Sequence, residues 1–149
     1  MRKPSEETDE YWFYEDINPF FHSTLETGKW FAFIDRSEID AVWDKAKIAL
    51  QVRAFGPAIK VSTARENMTQ KYEQLANGRT HILIAYTRDY DDDDDRMRVA
   101  MNLLEQCGLQ GKTLYYKRDM ETFSESYGDQ YWYTIFDGGV ERSNERFAG

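Results

Sequence analysis

Three consecutive pieces decide the fold: Lys29-Trp-Phe-Ala-Phe-Ile34, then Asp35-Arg-Ser-Glu-Ile-Asp-Ala-Val-Trp43, then Ala58-Ile-Lys-Val-Ser62 after Gly56-Pro57. They read as strand, helix and strand. The first piece is aromatic and β-rich. In the second, Ser37 offers an oxygen for a helix N-cap, with Asp40 three residues on in the place of a capping-box partner. Ile39, Val42, Trp43, Ala46, Ala49 and Leu50 recur at helical spacing and form one apolar stripe, with Glu38, Lys45 and Gln51 on the other face. Gly56-Pro57 is the expected stop. In the last strand, alternation sets Lys60 opposite Ile59 and Val61.

The pattern repeats toward the C-terminus. Residues 64–76 carry a weak helical stripe of Met68, Tyr72, Leu75 and Ala76, closed by Asn77-Gly78. Arg79 to Thr87 is a strand, with Thr80, Ile82, Ile84 and Tyr86 on one face and Arg79, His81, Leu83 and Ala85 on the other. The acidic run from Asp89 to Asp95 leads into a helix from Arg96 to Cys107, whose stripe is Met97, Ala100, Met101, Leu104 and Cys107. Carboxylates suit the first turn of a helix because its free N–H groups and dipole attract negative charge, and Gly108 ends it. Lys112 to Lys117 and Tyr131 to Phe136 are further strands, separated by a loop over 118–128 and ended by Asp137-Gly-Gly, with a loose tail over 144–149. On the N-terminal side, residues 1–10 are polar and are expected to form a mobile arm. Tyr11-Trp-Phe-Tyr14 is too apolar to be left in water. It either lines a groove or covers one edge of the sheet. Residues 11–149 thus form a single α+β domain, a curved, mainly antiparallel sheet backed by two or three helices.

Composition narrows the function. A chain of 149 residues can bury a core without a staple. Lys and Arg number 19 against 27 Asp and Glu, a net charge of −8, which argues against a general duplex-DNA surface. A small basic pocket inside an acidic shell is compatible with that balance, and the acidic surface suits a basic protein partner. The single cysteine, Cys107, has no internal disulfide partner and sits on an apolar stripe, as a small buried hydrophobe does. No apolar run is long enough to span a membrane and no signal-peptide pattern opens the sequence, so a cytoplasmic location is expected.

There is no Gly-rich phosphate loop, no zinc spacing and no nucleophile elbow. No metal site or cofactor is expected. The aspartate run lacks the spacing of a calcium loop. His22-Ser-Thr24 resembles half of a two-histidine phosphoesterase pattern, but His81 is followed by Ile-Leu and does not repeat it. What stands out is a set of basic residues on or beside strands: Lys60, Arg65, His81, Lys117 and Arg118. If these strands are neighbours, Lys60, His81 and Lys117 converge on one concave face, with Trp30 and Tyr115 as stacking surface. Cations that fix phosphates and aromatics that stack bases are how nucleotides and short RNAs are held. The expected ligand is therefore a phosphate-bearing small molecule or short RNA.

Gly28-Lys-Trp-Phe31, Val42-Trp43, Gly56-Pro-Ala-Ile-Lys-Val-Ser-Thr63, His81-Ile-Leu-Ile-Ala-Tyr-Thr-Arg-Asp-Tyr90, Tyr115-Tyr-Lys-Arg-Asp119 and Thr122 resemble the family of the basophilic-leukaemia-expressed protein and its bacterial relatives. The resemblance runs from about Tyr11 to Gly128. It implies a fold like that of the cap-binding initiation factor 4E. It further implies a groove in which tryptophans stack a base and lysines hold phosphates, with Trp30, Trp12, Lys60 and Lys117 as candidates and Trp43 left to the core. Some members are similar to phosphothreonine lyases, in which a Lys base and a His acid carry out β-elimination. Here Tyr116-Lys117-Arg118-Asp119-Met120 is the segment closer to the base-bearing one, and Lys60-Val-Ser62 lacks a histidine two residues after the lysine. Lys117 or Lys60 would be the base and His81 the acid.

Overall fold

The computed structural model describes residues 2–17, 21–65, 79–119, 133–136 and 139–142. Its elements are β1 (Trp12–Asp16), β2 (Gly28–Asp35), α1 (Arg36–Gln51), β3 (Ala58–Ser62), β4 (Thr80–Thr87), α2 (Asp93–Gln106), β5 (Leu114–Arg118), β6 (Tyr133–Phe136) and β7 (Gly139–Arg142). The strands form one curved sheet in the order β1-β3-β4-β2-β5-β6-β7, with every neighbouring pair antiparallel. The stripe of Met68, Tyr72, Leu75 and Ala76, loop residues 120–128, Tyr131 and the tail over 144–149 lie outside the described residues.

α1 buries the six residues of its expected stripe. Its cap differs from the expectation. Asp35, not Ser37, is the N-cap, and its carboxylate accepts from the Ser37 N–H at 2.9 Å and the Ser37 hydroxyl at 2.6 Å. The carboxylate reaches the second N–H beyond it, so the helix begins before Ser37. Asp40 accepts instead from the Ser5 N–H and hydroxyl. The stretch expected to be a mobile arm therefore makes defined contacts, including Ala64 N–H to Pro4 O at 3.0 Å. The helix also stops short of Gly56. Arg53 takes the left-handed φ of 64°, and Arg53 N–H to Leu50 O and Ala54 N–H to Ala49 O close a Schellman turn. Gly56 serves the crossing of β4 instead. A Cβ there would lie 2.2 Å from Tyr86 O, so only glycine lets the loop pass so close to that strand.

In α2, Asp92 caps by accepting from Asp95 N–H at 3.0 Å, and Asp93, Asp94 and Asp95 fill the first turn. The acidic run is thus the start of the helix. Its buried face is Arg96, Val99, Ala100, Leu103 and Leu104, rotated from the expected stripe, and Met101 is 45% exposed. β1 is an edge strand, so Trp12 to Tyr14 cover one edge of the sheet. β6 ends at Phe136, where Asp137-Gly-Gly was expected to end that strand, and β7 follows as a strand that the sequence reading does not contain.

Pleating gives the sheet two faces. Trp30, Ala32 and Ile34 of β2, Ile59 and Val61 of β3, Leu83 and Ala85 of β4, and Leu114 and Tyr116 of β5 pack with both helices in one core. Full burial of such a side chain contributes roughly 1.5–3 kcal/mol. On the opposite face Phe31, Ala58, Ile82, Ile84 and Tyr86 form a second cluster with Trp12, Phe21, Phe33 and Tyr115 packed on it. No described helix is long and apolar enough to cross a membrane.

Candidate ligand-binding site

The chemistry lies on that opposite face. In the β2–β5 register Lys29 pairs with Lys117, and in the β1–β3 register Tyr14 pairs with Lys60. Lys29 and Lys117 are 2% and 1% exposed. Like charges directly opposite one another on a sheet repel, and a buried ammonium is costly without an anion. Asp119, just past the end of β5, supplies one: its Oδ1 accepts from Lys29 Nζ at 2.8 Å. Its backbone N–H donates to Thr27 O at 2.9 Å, so the chain entering β2 holds the carboxylate in place. Burial alone would raise the Asp119 pKa. The charge of Lys29, hydrogen bonds from Lys29 and Ser23, and the charge of Lys60 outweigh it and hold the carboxyl below its ordinary value.

Lys60 stands beside this pair. Its Nζ lies 4.2 Å from the centre of the Trp12 ring and 5.5 Å from that of Tyr14. The Tyr14 hydroxyl is pushed up in pKa by burial and by the charge of Asp119. Lys117 Nζ lies 5.6 Å from the Phe31 ring, which stacks on Tyr115 at 5.4 Å. Lys29 and Lys60 thus act on one carboxylate, with Lys117 beside Lys29 on the same face, bordered by aromatic rings. Beside the outer edge of β1 is a cavity of about 430 Å³ lined by Trp12, Tyr14, Phe13, Trp43, Arg2 and Lys47, among others.

The structure brings Lys60 and Lys117 to one face, but not with His81 or Trp30. His81 pairs with Ile34 on the helix face and is fully buried. Its Nδ1 lies 2.8 Å from Ser62 O, and its Nε2 accepts from Arg36 Nε at 3.1 Å. That places the proton on Nδ1. Burial pulls the imidazole pKa down, and the Arg36 charge adds to this against the Ser62 hydrogen bond. The expected convergence of Lys60, His81 and Lys117 is therefore corrected: the sheet separates His81 from both lysines. Trp30 is likewise corrected as a stacking residue. It is buried on the helix face, with Nε1 donating to Arg96 O at 2.8 Å. Arg118 alternates away from Lys117 and lies 5.4 Å from the Tyr90 ring. Arg65 is exposed past the end of β3, 3.9 Å from the Tyr11 ring, and donates to Asp9 O.

Sequence reasoning misses Lys29, Asp119, Tyr14 and Ser23. The signal for Lys29 is present: alternation from Gly28 sets Lys29, Phe31 and Phe33 opposite Trp30, Ala32 and Ile34. Asp119 lies beyond its strand, where alternation carries no information.

A family model described as basophilic leukemia-expressed protein Bles03 matches residues 21–124. No curated protein sequence matches the chain. Among solved structures, Caenorhabditis elegans eIF4E-3 in complex with the 4E-binding protein Mextli and cap analog is 14% identical, with a TM-score of 0.62 over 88% of this chain and 74% of that one. Ascaris suum eIF4E-3 with m7G cap is 16% identical, with a TM-score of 0.58 over 83% of this chain and 68% of that one. The same protein with m2,2,7G cap gives 15% and 0.59 over the same shares. At these identities the likeness establishes a shared fold, the curved antiparallel sheet backed by helices.

Proposed function

The chain belongs to the family of the basophilic leukemia-expressed protein Bles03, and on that footing we propose that it binds a phosphate-bearing ligand, a nucleotide or short RNA, on the sheet face opposite the helices. One observation carries this reading: Lys29, Lys60 and Lys117 lie on one face of the sheet, with Lys29 ion-paired to Asp119 and the charge of Lys60 helping to hold that carboxyl ionised. Ammonium groups in a low-dielectric setting attract phosphate strongly, and the Trp12 and Tyr14 rings beside Lys60 offer surface for a base. The cap ligands held by the eIF4E-3 neighbours agree with this ligand class. The lyase reading finds no comparable support, because Lys117 and His81 occupy opposite faces. Nor does the acidic run call for a partner, since Asp93 to Asp95 serve the start of α2.

The test is thermal melting against a panel of mono-, di- and triphosphate nucleotides, including a 7-methylguanosine triphosphate. A ligand at a hundred times its Kd stabilises the fold by about 2.7 kcal/mol, a shift of several degrees. Lys60→Met should weaken that ligand roughly tenfold or more, the loss of a charge-assisted contact. A flat response to the whole panel and to short RNA refutes the proposal.

A further inference from the structure

We infer that the outer edge of β1 is a docking edge for an extended segment of a partner protein, one that carries a basic and an apolar side chain at alternate positions. This stands independently of the lysines on the sheet face. It begins from the backbone. Tyr11 O accepts from Thr63 N–H at 3.1 Å, and Ile17 N–H donates to Pro57 O at 3.0 Å, so both point toward the β3 side. Along an antiparallel strand the hydrogen-bonding groups of successive residues alternate between its two edges. Those of Trp12, Tyr14 and Asp16 therefore point away from β3. β1 stands at the end of the sheet order, and no described residue pairs with these groups. The pairing of β1 with β3 runs from Trp12 to Asp16 without a bulge, and the strand holds neither lysine nor proline. Such an edge is open to a further strand.

The cavity of about 430 Å³ decides which strand fits, because it lies along this edge between β1 and the Trp43 and Lys47 turn of α1. An added strand lies about 4.8 Å from β1, so its side chains on the helix side enter the cavity beside Phe13 and Glu15. Phe13 packs on the helix-face core and, with Trp43, gives an apolar wall. Glu15 shares that side by alternation and is half-buried. Among the described residues no ion pair or hydrogen bond holds its carboxylate. Of the cations lining the cavity, Arg2 pairs with Glu7 at 2.8 Å and is drawn more weakly by Glu10, and Lys47 pairs with Asp44 at 3.5 Å. An inward-facing charge guards an edge against apolar strands. It favours a strand that sets a cation opposite, where unlike charges attract across the ladder. Arg2 shows the kind of group the cavity takes, since its guanidinium lies 4.8 Å from the centre of the Phe13 ring. Every pair in this sheet is antiparallel. In an added strand of that sense, the residue opposite Glu15 comes two before the residue opposite Phe13. The segment therefore reads basic-x-apolar.

The experiment selects binders from a displayed library of random peptides and follows one selected peptide by NMR. The selected sequences should share basic-x-apolar, and the amide protons of Trp12, Tyr14 and Asp16 should become protected from exchange in the complex. Tyr14→Pro removes an outward N–H and leaves the β3 ladder intact. It should weaken the peptide roughly tenfold relative to Tyr14→Ala, which keeps that N–H. Glu15→Lys should turn the selection toward acidic-x-apolar, and this reversal decides alone if the proline variant does not fold. Apolar residues at helical spacing in the selected peptides overturn the inference, as do unchanged β1 amides in the complex or equal affinity of the two Tyr14 variants. A library that yields no binder overturns it too. So does a chain that sediments as a dimer through this edge and selects no peptide, which assigns β1 to a second copy instead.

Discussion

Alternate residues of the same strands build two surfaces with different chemistry. On the helix face polar groups are few and closed on near neighbours: His81 between Ser62 and Arg36, Thr87 with Tyr116 at 2.7 Å, Trp30 with Arg96 O. Among the described residues the opposite face carries Lys29, Lys60 and Lys117 among aromatic rings, with Asp119 ion-paired to Lys29. Apolar burial with satisfied hydrogen bonds stabilises a fold, whereas buried like charges cost stability and persist where they serve another end. The helix face should therefore hold the protein together, and the other should trade stability for attraction of an anion.

The comparison can be broken by mutation. The largest effect is expected from Trp30→Ala, which empties the centre of the helix-face core. It should cost about 3–5 kcal/mol in urea unfolding. A small cost with lost ligand binding would instead return Trp30 to the site. Next comes Asp119→Asn, which removes the carboxylate charge 2.8 Å from the buried Lys29 ammonium and should cost about 3 kcal/mol. The paired change Lys29→Met with Asp119→Leu should recover at least half of that. If the double variant is as unstable as the single, the pair is a structural requirement rather than a cost borne for binding. His81 sharpens the contrast through pH. Its folded pKa lies below the ordinary value of 6.5, so the unfolded chain takes up the proton first. The stability it contributes is complete above 6.5 and declines as pH falls through that value toward the folded pKa, by at most about 1.4 kcal/mol per pH unit. His81→Gln should flatten denaturation midpoints measured from pH 7.5 to 5.5. The smallest change in stability is expected from Lys60→Met, within about 0.5 kcal/mol, although it is expected to weaken ligand binding. A large loss of stability would move Lys60 from the ligand to the scaffold.

Much of the scaffold is legible in the sequence because it is local. The stripe from Ile39 to Leu50 is a period that one helix imposes on its own sequence, and all six residues are buried as expected. Alternation likewise sets Lys60 against Ile59 and Val61, and His81 against Ile82. It assigns faces only within a strand. Whether the Lys60 face of β3 is the His81 face or the Ile82 face of β4 depends on register, and no local signal carries register between strands so far apart in sequence. That is why sequence alone groups His81 with the lysines and passes over Lys29. Cap positions fail for a smaller reason: Asp35 and Ser37 are both good capping residues, and only the backbone decides between them.

The strand order has a consequence for how the protein comes into being. β6 and β7 form a short hairpin, but β2, at the centre, pairs with β4 and β5, which lie far along the chain. Lys29 meets Asp119 across 90 residues. Closing loops of that length precedes any gain from the contacts they bring, so sheets of this kind form slowly, on the order of milliseconds to seconds. Half-folded chains, with β5 not yet laid against β2, hold the two halves of the charge cluster apart. Lys29 and Asp119 thus come together only once β5 is laid against β2, so their ion pair depends on the longest-range pairing of the central strand.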